Sequence, residues 1–416
     1  MNKPPLPKLN LSRVRILLGL TLVAILMFVF GYYLGNQGYG ASIEGGGNVI
    51  ISREIPPGYQ DVDFAQFWQV WDALESEYFD KDKIDSRQMV YGAISGMVSA
   101  LGDPYTVFLP PSDNKIFQED LNGNFEGVGI QIGFRGSSLA VIAPLPDTPA
   151  EVAGIKAGDY ITGIIDEGKD LERNTIGITL PEAVQAIRGP SGSTVTLVLS
   201  RDGVDEAIRV DVVRKSIDVP SVILDYVEGE DGNTVAHIQV LKFGAETLDE
   251  WNKAVRDVLK SNASGVVLDL RNNPGGFLQG AVDLASEFTE NGTVIVIEEM
   301  ANGEKANFES DRIPKLAGYD VVLLVNQGSA SASEILAGAL SEVMGYKLIG
   351  ETTFGKGTIQ QPKQLENGSG LHITTSRWLT PLGNWINDTG LEPDVTVEDD
   401  DETVEDEQLL EAIKAL

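Results

Sequence analysis

Gly265-Val266-Val267-Leu268-Asp269-Leu270-Arg271-Asn272-Asn273-Pro274-Gly275-Gly276 is the stretch that sets the fold class. Its first six residues are mostly apolar rather than alternating, the pattern of a strand buried on both faces of a parallel sheet. A Pro-Gly-Gly turn ends the run, and a helix is expected from about Leu278 to Phe288. Val294 to Ile297 and Val321 to Asn326 read as further strands, so the chain is α/β from about Asp218 onward. The last of these strands leads into Gly328-Ser329-Ala330-Ser331-Ala332-Ser333-Glu334, at the start of a helix expected over Ser331 to Val343. Lys356 follows in Phe354-Gly355-Lys356-Gly357-Thr358-Ile359-Gln360. A serine nucleophile needs an exposed Oγ, a nearby base and backbone N–H donors for an oxyanion. Helix N-termini offer such donors, and burial can lower a lysine pKa enough to make it the base. Ser-Ala-Ser is also ordinary N-cap material, and Gly-Lys-Gly an ordinary turn.

Composition bounds the setting. Of 416 residues, 42% are hydrophobic, enough to fill two or three ordinary cores. Lys3, Lys8, Arg13 and Arg15 are the only charges in residues 1–43, which leaves 27 bases against 62 acids beyond. No basic nucleic-acid footprint is present, and none is expected as a partner. Ile16 to Leu34 is uncharged and rich in Leu, Val, Ile, Phe and Tyr. At 1.5 Å per residue it approaches the thickness of a hydrocarbon core. Bases stand only on its N-terminal side, so the expectation is a single-pass membrane anchor with the N-terminus cytoplasmic and the remainder extracytoplasmic. The alternative is a cleaved signal peptide and a secreted or periplasmic product, with Gly38-Tyr39-Gly40 the nearest cleavage candidate. The absence of cysteine removes disulfides and thiolates, and with only His237 and His372 a histidine metal centre is not expected. Both histidines read as strand residues.

Upstream of the α/β part, Phe64, Phe67, Trp68, Trp71, Leu74 and Tyr78 recur at helical spacing. A second helix is expected from Ser86 to Leu101, stopped by Gly102-Asp103-Pro104. From Gly123 to about Ser216 the pattern changes to short strands and glycine turns. Strands are expected at Val128–Phe134, Leu139–Ala143, Thr194–Ser200 and Ile208–Val213, with helices at Thr148–Gly154 and Leu180–Ile187. This order resembles a PDZ domain, most specifically in Pro149-Ala150-Glu151-Val152-Ala153-Gly154-Ile155-Lys156-Ala157-Gly158-Asp159. The resemblance implies that Gly127, Val128, Gly129 and Ile130 bind a peptide's terminal carboxylate while the peptide adds as a strand. Asp166 to Thr179 is longer and more charged than the short turn of a PDZ domain.

The Leu268–Gly276 segment, the serine loop and Phe354–Gln360, in that order after a PDZ-like module, resemble the carboxyl-terminal processing peptidases, the S41 serine peptidases. The likeness runs from about Phe64 to Asp394 and includes Leu101-Gly102-Asp103-Pro104-Tyr105-Thr106 and Trp378-Leu379-Thr380-Pro381. It implies Ser331 as nucleophile, Lys356 as general base, Gln360 as the residue orienting that lysine, and the N–H groups of Gly276 and Ala332 as the oxyanion hole. Arg188 matches the arginine that couples PDZ occupancy to the protease core. The implied fold is an α/β, ClpP/crotonase-like ββα protease core with an inserted PDZ domain, β-rich with two helices, and an N-terminal helical module.

The expected organisation is a cytoplasmic basic segment (1–15), an anchor (16–35), a linker (36–60), the helical module (61–121), the PDZ domain (122–216), the peptidase core (217–397) and an acidic tail with a terminal helix (398–416). The expected partners are protein or peptide substrates with flexible C-termini, the membrane, and a second copy as a homodimer; no cofactor is implied. Rival readings are a catalytically silent PDZ scaffold, against which Lys356 and Gln360 count, and a crotonase-like thioester enzyme, which needs no serine–lysine pair.

Overall fold

The computed structural model describes residues 11–36, 39–44, 48–53, 63–398 and 405–416, apart from 137, 146, 179, 202, 205, 230 and 231. The basic residues before position 11, about half of the expected linker and the middle of the acidic run lie outside the described residues. The chain divides into two compact units, Met1–Met89 and Val90–Leu416.

The first unit contains α1 (Leu11–Asn36), an antiparallel hairpin of β1 (Tyr39–Glu44) and β2 (Asn48–Arg53), and α2 (Ala65–Glu77); α3 (Ser86–Ser99) begins at its end. The charge-free stretch expected to span a membrane lies within α1. Among the described residues no helix is long and apolar enough to cross a membrane. The aromatic residues at helical spacing cluster on one face of α2: Phe67 meets Trp68 edge-on at 5.0 Å, and Trp68 meets Trp71 at 6.0 Å. None of the residues of α2 is buried.

In the second unit, β3 (Val107–Leu109) and α4 (Pro111–Asn122) lead to β4 (Asn124–Gly127). Then come β5 (Ile130–Arg135), β6 (Ser138–Pro144), α5 (Pro149–Val152), β7 (Tyr160–Asp166), β8 (Leu171–Asn174), α6 (Leu180–Ile187), β9 (Thr194–Ser200), β10 (Ile208–Val213) and β11 (Lys215–Asp218). The order β10-β9-β7-β6-β5, with β8 added on β7, leaves β5 at an edge. Leu139, Ile161, Ile164, Leu197 and Leu199 form its core with Ala183 and Ile187 of α6; burial alternates along β9, and a bulge between Ile161 and Gly163 sets the spacing on β7. Beside this sheet, β4 and β11 pair antiparallel, Lys215 opposite Gly127. The long charged stretch after Asp166 does not invade the module; it folds back as β8 and braces α6. Arg173 pairs with Glu182 at 2.8 Å, and Lys169 Nζ donates to the carbonyls of Gln185, Ala186 and Arg188 at 3.1, 3.3 and 2.5 Å.

The remainder is the α/β core: β12 (Val222–Glu228), β13 (Thr234–Val240), α7 (Thr247–Lys260), β14 (Gly265–Asp269), α8 (Leu278–Ala285), β15 (Val294–Met300), β16 (Lys305–Glu309), β17 (Asp320–Val325), α9 (Ala332–Met344), β18 (Lys347–Gly350), β19 (Thr358–Gln364), β20 (Gly370–Leu379), β21 (Val395–Thr396) and α10 (Glu407–Lys414). Its main sheet runs β12-β13-β14-β17-β18-β21, parallel from β13 onward. Every residue of β14 is buried, as its unbroken apolar run requires. Val266 and Leu268 face a core completed by α7, α8 and α9, whereas Val267 faces one completed by α10. A second, antiparallel sheet runs β16-β15-β20-β19, with β3 on β20.

Asp269 ends β14 in a buried charge cluster. Its carboxylate meets His237 Nε2 at 3.0 Å and Arg271 at 2.8 Å, and Arg271 reaches Asp406, the N-cap of α10, at 2.8 Å. Burial alone would push the Asp269 carboxyl up; hydrogen bonds from His237 and Arg271, and the arginine charge, outweigh it and hold the carboxyl below its usual range. A depressed folded pKa contributes stability that is fully present above the unfolded value, about 4, and is lost as pH falls through the folded value. Unfolding free energy should therefore drop below about pH 4. Asp269→Asn should flatten that acid slope while lowering stability at neutral pH. Urea titrations between pH 3 and 7 check this, and an unchanged slope would remove the assignment.

Candidate active site

Ser331 is the N-cap of α9 and adopts φ 56°, ψ −114°, a left-handed conformation rarely used by serine. Such a backbone persists only where its surroundings fix it. Here the fixing group is Glu334, three residues on and fully buried. Glu334 Oε2 accepts from the Ser331 N–H at 2.8 Å, the half of a capping box that reaches backward. The same carboxylate accepts from Thr353 Oγ1 at 2.6 Å, Gly355 N–H at 2.7 Å and Lys356 N–H at 2.9 Å. One buried anion thus ties the serine turn to the lysine loop. The flanking serines have other tasks. Ser329 Oγ donates to Leu270 O at 2.8 Å, and Ser333 Oγ donates to Asn273 O and Ala330 O at 2.9 and 2.7 Å. Both are fully buried, whereas Ser331 is half-buried.

The loop after β14 packs directly on this turn. Asn273 accepts from the N–H of Gly275 through Oδ1 and from Ala330 N–H through its carbonyl, both at 2.9 Å. Gly275 has φ 95°, and a Cβ there would stand 2.8 Å from Ser331 Cβ and 3.0 Å from Ala332 N. Gly276 has φ 139°, and a Cβ there would overlap Phe243 O. Only residues without a side chain allow this approach. Ala332 is the first residue of α9, where N–H groups have no intrahelical acceptor. Of the glycine pair, Gly275 is the one whose backbone lies against Ser331 and Ala332, whereas Gly276, expected beside Ala332, packs on Phe243.

Lys356 stands between Gly355 and Gly357, two residues before β19, and its carbonyl accepts from Trp378 Nε1 at 2.8 Å. Its Nζ lies 5.0 Å from the centroid of the Tyr105 ring. Burial pushes the lysine below its ordinary pKa, against the opposing pull of Glu334 and Asp103. Gln360, expected to orient this lysine, instead donates from Nε2 to Thr358 Oγ1 at 2.9 Å and Thr374 Oγ1 at 3.3 Å. The reason is register: Thr374 is its cross-strand partner on β20. His372, on the same strand, is buried edge-on to Phe117 at 4.5 Å, and burial and the Lys356 charge push its pKa down. Among the described residues no group of His, Asp and Glu is arranged to hold a metal ion.

A second feature lies in the β-rich module. Phe125, Val128, Gly129, Ile130, Ile132, Val184, Ile187 and Arg188 line an apolar groove between β5 and α6. Because β5 is an edge strand, its outer backbone can accept an added strand. The loop is braced: Gly129 O accepts from Leu145 N–H at 2.9 Å and Thr148 Oγ1 at 3.0 Å. Gly127 departs from expectation by closing the β4–β11 ladder instead of lining the groove. Arg188 stacks on Phe125 at 4.4 Å and pairs with Glu119 at 3.4 Å and Asp120 at 2.7 Å, both on α4.

Sequence reading had assigned no task to Glu334, Thr353 or Tyr105. The spacing Ser331-x-x-Glu334 is that of a capping box and was the available signal for the first; nothing local marks the other two.

The chain matches three families in succession: the activating protease CtpB N-terminal domain over residues 31–112, the PDZ domain over 116–200 and peptidase family S41 over 234–397. It is 36% identical over 337 residues to carboxy-terminal processing protease CtpB of Bacillus subtilis, covering 80% of this chain and 67% of the relative. CtpA of the same organism is 36% identical over 356 residues, covering 86% and 73%. A probable CtpA-like serine protease of Staphylococcus aureus is 34% identical over 386 residues, covering 92% and 72%. Among solved structures, the photosystem II D1 C-terminal processing protease aligns with TM-score 0.52 and 29% identity over 84% of this chain and 96% of its own. A putative S41 protease from Bacteroides fragilis, TM-score 0.55 at 17% identity over 87% and 98%, shares the fold.

Replacing Glu334 by Gln turns N–H donors toward the donors it now satisfies. The variant should lose about 3 kcal/mol of stability or more, since hydrogen bonds to a buried charge are the costly ones to lose. Urea unfolding with Ser331→Ala as the comparison measures it, and wild-type stability in Glu334→Gln would contradict the clamp.

Proposed function

The chain belongs to peptidase family S41, the carboxy-terminal processing serine proteases, and from that premise we propose that it is an endopeptidase working by a Ser331–Lys356 dyad on proteins whose C-terminal tails its PDZ module captures. The observation that carries this reading is the Glu334 carboxylate, which binds the backbone of Ser331 and of Lys356 at once. In the proposed step Lys356 Nζ takes the proton of Ser331 Oγ as that oxygen bonds the scissile carbonyl carbon. The N–H groups of Gly276 and Ala332 receive the oxyanion, each worth on the order of 3 kcal/mol. The ammonium then returns the proton to the leaving amine as the C–N bond breaks, and water releases the acyl group by the same route. Gln360, two residues into β19, supports the lysine strand in this reading.

The tail would add to β5, with its carboxylate at the Val128–Gly129–Ile130 turn and its last side chain among Ile132, Val184 and Ile187. Arg188, at the end of the groove and bonded to α4, is the proposed link between an occupied groove and the core. We further propose the membrane anchor, with the peptidase extracytoplasmic. Its support is the uncharged Ile16–Leu34 stretch within α1 and the bases that precede it. A homodimer through the N-terminal helices fits the exposed aromatic face of α2.

Full-length protein in detergent, incubated with a disordered substrate and mapped by mass spectrometry, tests the dyad. Ser331→Ala and Lys356→Ala should each lose roughly four orders of magnitude in kcat or more; activity in Lys356→Ala would sink it. Because the base must be neutral, kcat/KM should rise with pH through an apparent pKa below the ordinary lysine value of about 10.4. Resistance of the full chain to alkaline extraction from membranes, lost when residues 1–35 are deleted, tests the anchor.

A further inference from the structure

The Gly102-Asp103-Pro104-Tyr105-Thr106 turn is far from the reactive segments in sequence, yet it forms a wall of the lysine pocket. Two hydrogen bonds fix the turn: Asp103 Oδ1 accepts from Tyr105 N–H at 3.0 Å, and Oδ2 from Thr106 Oγ1 at 2.6 Å. Thr106 then leads into β3, which pairs with β20, and Thr106 Oγ1 accepts from Thr374 N–H at 3.0 Å. Thr374 is the residue that Gln360 bonds across the strands. The turn and the strand pair that follows Lys356 are therefore one hydrogen-bonded body. The outcome is that the Tyr105 ring, half-buried, has its centroid 5.0 Å from Lys356 Nζ.

We propose that Tyr105 is a positioning residue for Lys356: its ring face holds the lysine Nζ in place and stabilises the ammonium formed when Ser331 gives up its proton. An aromatic face attracts a cation most strongly where water is excluded. The attraction is weak for a neutral amine, so it grows as the proton transfers, which is when it aids the reaction. Gln360 Nε2 bonds Thr358 and Thr374, which ties the glutamine to the strand pair that carries the Tyr105 turn. The phenol itself is no rival base. Burial, and the charges of Asp388, Glu334 and Asp103, push its pKa up, so it stays protonated. The charged or titratable groups around the lysine are Glu334 on α9, Asp103 in the turn and His372 on β20.

The inference rests on reading Lys356 as the base, and the test separates the two. Full-length wild type, Lys356→Ala, Tyr105→Phe and Tyr105→Leu are assayed on one disordered substrate from pH 5 to 10, with thermal unfolding of each. Tyr105→Phe keeps the ring and should match wild type within about threefold, whereas Tyr105→Leu should lose about tenfold in plateau kcat, the weight of one desolvated cation–π contact. KM should not change, because the tail groove is untouched. Loss of a partner for the cation should also move the acidic limb of the Leu variant to lower pH. A Leu variant with wild-type plateau and limb would overturn the inference alone, as would a Phe variant as impaired as Leu, which would assign the hydroxyl. A Leu variant impaired only because it melts early would show a lowered unfolding temperature with an unmoved limb, and that also overturns it. Activity in Lys356→Ala would overturn both readings.

Discussion

One buried carboxylate constrains everything around the site. Glu334 enters the interior as an anion, a position that demands full hydrogen bonding. The four donors that satisfy it come from two segments separated by about twenty residues: the Ser331 turn, and Thr353, Gly355 and Lys356. Because the charge cannot be left unpaired without a cost of several kcal/mol, the two segments hold a fixed relation. The serine's unusual backbone angles are held by the same carboxylate, which accepts from its N–H. Gly275, after β14, then closes on the turn with no side chain to keep it away, and Gly276 closes on Phe243.

The fold was largely legible in the sequence for a simple reason. β14 and β17 carry unbroken apolar runs, Val266–Leu268 and Val321–Val325, buried in the sheet, with an aspartate at one end of each strand. The PDZ-like module announced itself through alternation and glycine turns, and the hairpin of β9 and β10 formed in the expected place. The approach of Gly275 to the Ser331 turn was legible because loops that come close to one another need small residues. What escaped were contacts made across the fold. Gln360 turns to Thr374 because of strand register, and Tyr105 meets Lys356 through a pairing of β3 with β20; neither leaves a local pattern. Gly127 was expected in the groove and closes the β4–β11 ladder instead, for a related reason. The glycine run before β5 spans a boundary between two ladders, and only pairing decides which residues belong to each.

The groove and the lysine pocket share supports. Arg188 at the groove's end pairs with Glu119 and Asp120 of α4. From α4, Asn114 Nδ2 donates to Gln364 Oε1 on β19 at 2.8 Å and to Gly368 O at 2.9 Å. The proposed coupling thus has a continuous packed route: groove arginine, helix, then the strand pair that follows the lysine. The brace formed by β8 and Lys169 keeps α6 in register with this route, because Lys169 holds the carbonyl of Arg188 itself. The long charged stretch that seemed out of place in a PDZ-like sequence contributes rigidity to the helix that forms one groove wall.

The ladder of β4 and β11 carries a consequence for how such a chain changes over time. The strand before the PDZ module and the strand after it lie side by side, Asn124 opposite Asp218 and Gly127 opposite Lys215. The two ends of the module therefore meet at one seam, and its apolar interior is separate from that of the core. A cassette with adjacent ends can be exchanged, duplicated or remodelled while the core keeps folding as before. On the proposed division of labour, recognition and hydrolysis are thereby free to evolve at different speeds: the serine and lysine segments are locked by a buried charge, whereas the groove belongs to a replaceable part.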